Sequence, residues 1–198
     1  MAAVKDIPEG EAVDKFVDTR SSQQVVFTES GTFAVGGESM NCRVCDVFNP
    51  GKFHLQLREK DSQLDSLLEL LDQVYCKRLE ELRLPGSLIR EGQLCVVMWP
   101  VDGHFYRASI VEAQDSLQFK MEYYDYGTVC LHSRDQLHIL LPDLQPPKYP
   151  KMCHKARLHG VKRVDPLQWG RQASETFQSL VGGGLVGRDV DVATRVVS

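Results

Sequence analysis

Apolar residues along this chain recur with period two in some stretches and with a helical period in others, and the switches between the two mark out its elements. Residues 24–28 read as a short strand. Residues 40–48 and 53–57 read as two more around the Asn49-Pro50-Gly51 turn. In the second of these, Phe53, Leu55 and Leu57 alternate with His54 and Gln56, the pattern of a strand with one buried face. The period then becomes helical: Leu64, Leu67, Leu68, Leu71, Tyr75, Leu79 and Leu82 form one stripe, with Asp65, Glu69 and Asp72 largely on the other side. Ser62 with Asp65 three residues later predicts an acidic capping box at the start of this helix, and Pro85-Gly86 stops it.

From residue 91 to 140 the pattern returns to short strands, at 94–99, 105–111, 117–124 and 128–131. Their connections are Asp102-Gly103, Gln114-Asp115-Ser116 and Asp125-Tyr126-Gly127. Strands this short with turns this tight predict a curled antiparallel sheet that closes its own edges. Pro142, Pro146, Pro147 and Pro150 make the following segment a stiff, extended strap. Residues 156–161 read as a further strand. A second helix is signalled by Asp165 as a cap, Pro166 in the first turn and Gln168 in the reciprocating position, followed by Trp169, Ala173, Phe177 and Leu180 on one face. Gly182, Gly183 and Gly184 end it, and 189–197 alternates like a closing strand. The fold class is mainly β with two helices, preceded by a linker or disordered end at 1–24.

Alternation places Tyr106 with Ala108 and Ile110, Tyr123 with Phe119 and Met121, and Trp99 with Val97 and Cys95. Trp99 and Tyr106 flank one turn, Tyr123 and Tyr126 another, so the four rings share a mouth if those turns lie at one end of the sheet. Such a box suits a cation. Methylation leaves a guanidinium its charge while removing donors and adding apolar surface, and each aromatic face attracts it by roughly 0.5–1 kcal/mol when exposed and about 2 when desolvated. A remaining N–H needs an acceptor, for which Asp125 and the tyrosine hydroxyls are candidates, with Glu122 biasing the rim. The plainer reading of the same rings is core, because small barrels fill themselves with aromatics.

The chain has 198 residues, 42% of them hydrophobic and 25% charged, and a formal net charge of -4, which argues against a general nucleic-acid binder and suits a cationic guest. Lys5, Asp6, Glu9, Glu11 and Asp14 interrupt any signal peptide, and no segment is apolar enough to span a membrane. The six cysteines read as reduced thiols of a cell interior. Cys42 and Cys45 form a lone C-x-x-C with no second pair to complete a zinc site, so neither a metal nor a cofactor is expected.

Gly92-Gln93-Leu94-Cys95, Trp99, Asp102 through Ala108, and Tyr123-Tyr124-Asp125-Tyr126-Gly127 together resemble the Tudor domain pattern, in order and at the usual distances. With its flanks, the chain from about residue 25 onward resembles an extended Tudor domain. That resemblance implies an SH3-like Tudor barrel at 91–140, packed against an OB-type lobe similar to staphylococcal nuclease. The lobe's first part would be 25–90, and its second part, with the strap, 141–198. It further implies an aromatic cage of Trp99, Tyr106, Tyr123 and Tyr126, with polar contacts from Asp125 and Thr128. Thr128 stands where the family often has Asn. The implied guest is symmetric dimethylarginine in arginine-glycine-rich peptides such as PIWI-protein tails. The implied role is that of a non-enzymatic scaffold module of the piRNA pathway, in the cytoplasm and in germ granules. Two other readings stay open. A nuclease would need more than Asp46, Arg58 and Glu59. An RNA-binding or protein-interaction module with little methylarginine dependence would use the basic residues Lys148, Lys151, Lys155, Arg157, Lys162, Arg163 and Arg171.

Overall fold

The computed structural model describes residues 25–27, 39–113, 117–158, 161–181 and 191–195. The first 24 residues, the turn expected at 114–116 and the glycine run at 182–184 lie outside them. In chain order the strands and helices are β1 (Val25–Phe27), β2 (Ser39–Asn49), β3 (Lys52–Leu57), α1 (Asp61–Arg78), β4 (Leu94–Met98), β5 (Phe105–Ala113), β6 (Gln118–Tyr123), β7 (Val129–Ser133), β8 (His138–Ile139), β9 (Cys153–Leu158), α2 (Arg171–Val181) and β10 (Asp191–Arg195). They form two compact units, one of them Arg58–Cys153 and the other drawn from the chain on either side.

In the flanking unit the sheet order is β1-β9-β3-β2-β10. Its core joins Cys42, Val44, Phe53, Leu55, Leu57 and Ala156 to Phe177 of α2, whose ring meets Phe53 at 5.2 Å. The β2–β3 turn forms as expected, with Asn49 Oδ1 accepting the Gly51 N–H at 2.9 Å. Gly51 is required by close approach: a Cβ there would come within 2.5 Å of the Trp169 indole nitrogen. His54 and Gln56, expected on an exposed face, are buried together with Phe53, Leu55 and Leu57, because β3 is interior to the sheet and covered on both faces. The second helix begins at Arg171, later than expected. Asp165 accepts the Leu167 N–H at 2.8 Å in a tight turn of its own, so the cap signal closes a loop and starts no helix.

In the central unit the sheet order is β7-β6-β5-β4-β8, antiparallel throughout. The two-residue β8 was invisible to periodicity. The segment after α1 pairs with it through Leu84 N–H to Leu137 O and Ile139 N–H to Leu82 O. Leu67, Leu71 and Tyr75 of α1 bury against Val96, Phe105, Leu140 and Leu144. This shared core draws α1 and the strap into the unit of the sheet, so the divisions fall at 57/58 and 153/154, away from the 90/91 and 140/141 of the sequence pattern. Ser62 lies inside α1 and caps nothing, since the helix starts one residue before it, and it ends at Arg78, well short of Pro85. The strap departs from the expected extended course twice, at a 3-10 turn over Pro142–Leu144 and at a turn over residues 146–148 closed by the Tyr149 N–H donating to Gln145 O at 3.2 Å.

The strap is held by a charge in the interior. Arg107 on β5 is 1% exposed, and all five of its N–H donors are used. Nε and one terminal nitrogen donate to Asp125 Oδ2 and Oδ1 at 2.9 and 2.7 Å. The rest reach strap carbonyls: Leu144 at 3.1 Å, Tyr149 at 2.6 Å and Pro150 at 2.9 Å. Asp125 Oδ1 also accepts the Met152 N–H at 3.0 Å. Removing one partner leaves the other charge buried and unpaired, so Asp125→Ala is expected to cost about 3–5 kcal/mol, read from chemical denaturation of the intact chain.

Candidate ligand-binding site

The pairing register explains how four rings from two hairpins meet. Val97 pairs with Tyr106, and Ala108 pairs with Tyr123. Opposed residues share a face, and so do residues two apart on one strand, so Trp99, Tyr106 and Tyr123 all project to one side. Trp99 keeps the hairpin closed beyond β4, its N–H donating to His104 O at 2.8 Å. At the neighbouring turn, the Gly127 N–H donates to Tyr123 O at 2.7 Å, and Gly127 has a φ of 81, a conformation that favours glycine. That turn brings Tyr126 back toward Tyr106.

The rings run in a chain of edge-to-face contacts. Trp99 meets Tyr123 at 5.1 Å and 88°, Tyr123 meets Tyr106 at 5.8 Å and 70°, and Tyr106 meets Tyr126 at 5.4 Å and 84°. Edge-to-face contacts at these distances are an arrangement that neighbouring aromatic rings prefer. Tyr123 is wholly buried, while Trp99 and Tyr126 are half-buried, so Tyr123 is the innermost of the four rings. Burial raises the Tyr106 and Tyr123 phenols far above their ordinary range, and the hydrogen bond to Asp102 adds to the effect at Tyr106. Both rings stay neutral.

The polar groups around the rings differ from those expected. Asp125 does not serve the box: its carboxylate is 3% exposed and given to Arg107 and Met152. Glu122 is paired with Lys151 at 3.1 Å. The carboxylate that touches a ring is Asp102, whose Oδ2 accepts the Tyr106 hydroxyl at 2.7 Å and whose Oδ1 accepts the His104 N–H at 2.9 Å. Its Asp-Gly setting signalled only a turn. Behind it, Asp72 of α1 accepts the Phe105 N–H at 2.9 Å and bonds His104 Nδ1, tying the helix to the hairpin that carries Trp99 and Tyr106. Tyr123 is braced by its hydroxyl against His132 Nε2 at 2.9 Å. Two buried polar atoms beside these rings have no hydrogen-bond partner, Thr128 Oγ1 and Trp99 Nε1.

Other candidate chemistry is weaker. None of the six cysteines is in a disulfide, and no group of three or more His, Cys, Asp or Glu among the described residues could hold a metal ion. No helix among the described residues is long and apolar enough to cross a membrane. Of the basic residues considered for RNA, Lys148, Lys151 and Arg171 are paired with Asp143, Glu122 and Glu175.

The family model of the Tudor domain matches residues 34–160. Mouse Tudor domain-containing protein 1 is 29% identical over 150 residues, which are 74% of this chain and 12% of the relative. The chain therefore spans a small fraction of that protein's length. Among solved structures, the extended Tudor domain TD3 from mouse TDRD1, in complex with a MILI peptide containing dimethylarginine, superposes with a TM-score of 0.70 at 26% identity, covering 87% of this chain and 81% of that one. The extended Tudor domain from BmPAPI in complex with sDMA gives a TM-score of 0.64 at 26% identity, covering 74% and 76%.

The histidines near the box titrate in opposite directions. Asp72 holds His104 above its ordinary value of 6.5. Its contribution to stability is complete below about pH 6.5 and is lost as pH rises through the folded value. Burial pushes His132 down, so the stability that its neutral form contributes is present above about pH 6.5 and lost as pH falls through its folded value. In an NMR titration of the imidazole resonances, His104 is expected to titrate above a model histidine and His132 below it. Asp72→Asn should return His104 toward the ordinary value and leave His132 unmoved.

Proposed function

This chain belongs to the Tudor domain family, and from that premise we propose that it is a reader of methylated arginine, binding symmetric dimethylarginine in arginine-glycine-rich peptides and acting by recruitment with no chemical step. The observation that carries this reading is the chain of four rings, Trp99, Tyr123, Tyr106 and Tyr126, joined at near-right angles at one end of the sheet. Neutral aromatic faces around one space are suited to a poorly hydrated cation, and a planar guanidinium fits between walls more closely than a tetrahedral ammonium does. The similarity to solved extended Tudor domains that hold a dimethylarginine peptide and sDMA supports the same guest.

In this reading, residues 91–140 are the Tudor barrel, and the sheet of the flanking unit is the lobe resembling staphylococcal nuclease. The partner class is the methylated tail of a PIWI-family protein, which would place the chain in the cytoplasm, in germ granules. Thr128 supplies the acceptor for a guanidinium N–H. Its hydroxyl is buried and unpartnered beside the rings, as an acceptor kept for a guest would be.

The test is titration calorimetry with one arginine-glycine peptide in unmodified, symmetric dimethyl, asymmetric dimethyl and methyl-lysine forms. The symmetric dimethyl form is expected to bind most tightly, and equal affinity for all four would overturn the proposal. Trp99→Ala should weaken binding at least about tenfold through loss of one cation–π wall. Thr128→Asn, which offers a longer acceptor, should strengthen binding by about two- to fivefold through a better-made hydrogen bond.

A further inference from the structure

Burial keeps the rings of Tyr106 and Tyr123 neutral, so the charge that a cation meets at this site comes from another group. The two carboxylates expected to supply it are engaged elsewhere: Asp125 with Arg107 and Met152, Glu122 with Lys151. Asp102 remains. It lies on the exposed turn between β4 and β5, among the six residues that join Trp99 to Tyr106. Its two oxygens each accept one hydrogen bond, from the Tyr106 hydroxyl at 2.7 Å and from the His104 N–H at 2.9 Å. A carboxylate has about four acceptor sites, so two are free to face solvent or a guest. The negative field of Asp102 reaches both Tyr106 and Tyr123, adding to the upward shift that burial imposes on their phenols.

Building on the proposed methylarginine reading, we infer that Asp102 is the counter-charge of the box, a specificity-determining residue that favours a cationic guest through its charge and not merely by orienting Tyr106. The two roles are separable by chemistry. Asparagine at this position keeps Oδ1 to cap the His104 N–H and turns an amide N–H toward the Tyr106 hydroxyl oxygen, which can accept it, so both contacts are kept while the charge is removed. Alanine removes both.

The experiment titrates wild type, Asp102→Asn, Asp102→Ala and Trp99→Ala with the symmetric dimethylarginine peptide at low and at high salt, with unfolding curves to compare folded stability. Asp102→Asn is expected to unfold as wild type does and to bind about tenfold more weakly at about 0.05 M salt, the gap narrowing at about 0.5 M as screening shortens the reach of the charge. Asp102→Ala should be weaker still, because Tyr106 loses its partner. Wild-type affinity and wild-type salt dependence in Asp102→Asn, with loss confined to Asp102→Ala, would reduce Asp102 to a positioning residue and overturn the inference. A different failure belongs to the reading beneath it: no preference of wild type for the methylated peptide together with no loss in Trp99→Ala rejects the methylarginine guest, and the counter-charge with it.

Discussion

The central unit depends on a guanidinium with nowhere to go but inward. Arg107 occupies β5 between Tyr106 and Ala108, both of which face the box side of the sheet, so alternation sends its side chain to the opposite side, beneath the strap. A charge there is tolerable only when fully paired, and the pairing recruits parts far apart in sequence: a carboxylate from the turn after β6 and three carbonyls of the strap. The prolines contribute by leaving those carbonyls with few other partners, since a proline-rich segment builds no ladder of its own. One requirement, that no donor of Arg107 be left unpaired, therefore fixes the course of the strap and the position of Asp125.

Fixing Asp125 bears on the rings. Asp125 and Tyr126 occupy successive positions of one tight turn, so a turn anchored from below by Arg107 presents Tyr126 from above. The opposite wall is anchored independently. Asp72 grips the backbone and the side chain of the β4–β5 connection from α1, and Asp102 holds the Tyr106 hydroxyl within it. The four rings are thus braced from two directions by carboxylates with separate duties, the preorganisation that the proposed cationic guest would require if ordering the site were not to consume its binding energy.

Much of this was legible in the sequence because it rests on local rules. Period two gave β2, β3, β5 and β6, the Asn-Pro-Gly and Asp-Gly turns set their connections, and the register that follows makes Trp99, Tyr106 and Tyr123 convergent. What local rules leave unread depends on partners distant in sequence. A lone arginine in an alternating strand reads as solvent-facing, and only the strap makes Arg107 interior. Asp72 read as part of a polar helix face, although that face meets a hairpin. Asp165 had the residue type of a helix cap and used it for a turn, and β8 is too short to show any period. His54 and Gln56 read as exposed because alternation reports one face and says nothing of what covers the other.

The bonds of Arg107 to the strap span 37 to 43 residues, whereas its pairing with Asp125 spans 18. Closing the longer loop carries the larger entropic cost, so the ring-bearing hairpins can assemble from near neighbours before the strap arrives. The smallest excisable piece is consequently larger than the smallest piece that contains every ring. A fragment ending at residue 140 would retain all four aromatics and the carboxylate of Asp125, yet its guanidinium would keep donors in the interior with no carbonyl to receive them. The ring cluster and the unit that holds it folded have different boundaries in this chain, and the strap accounts for the distance between them.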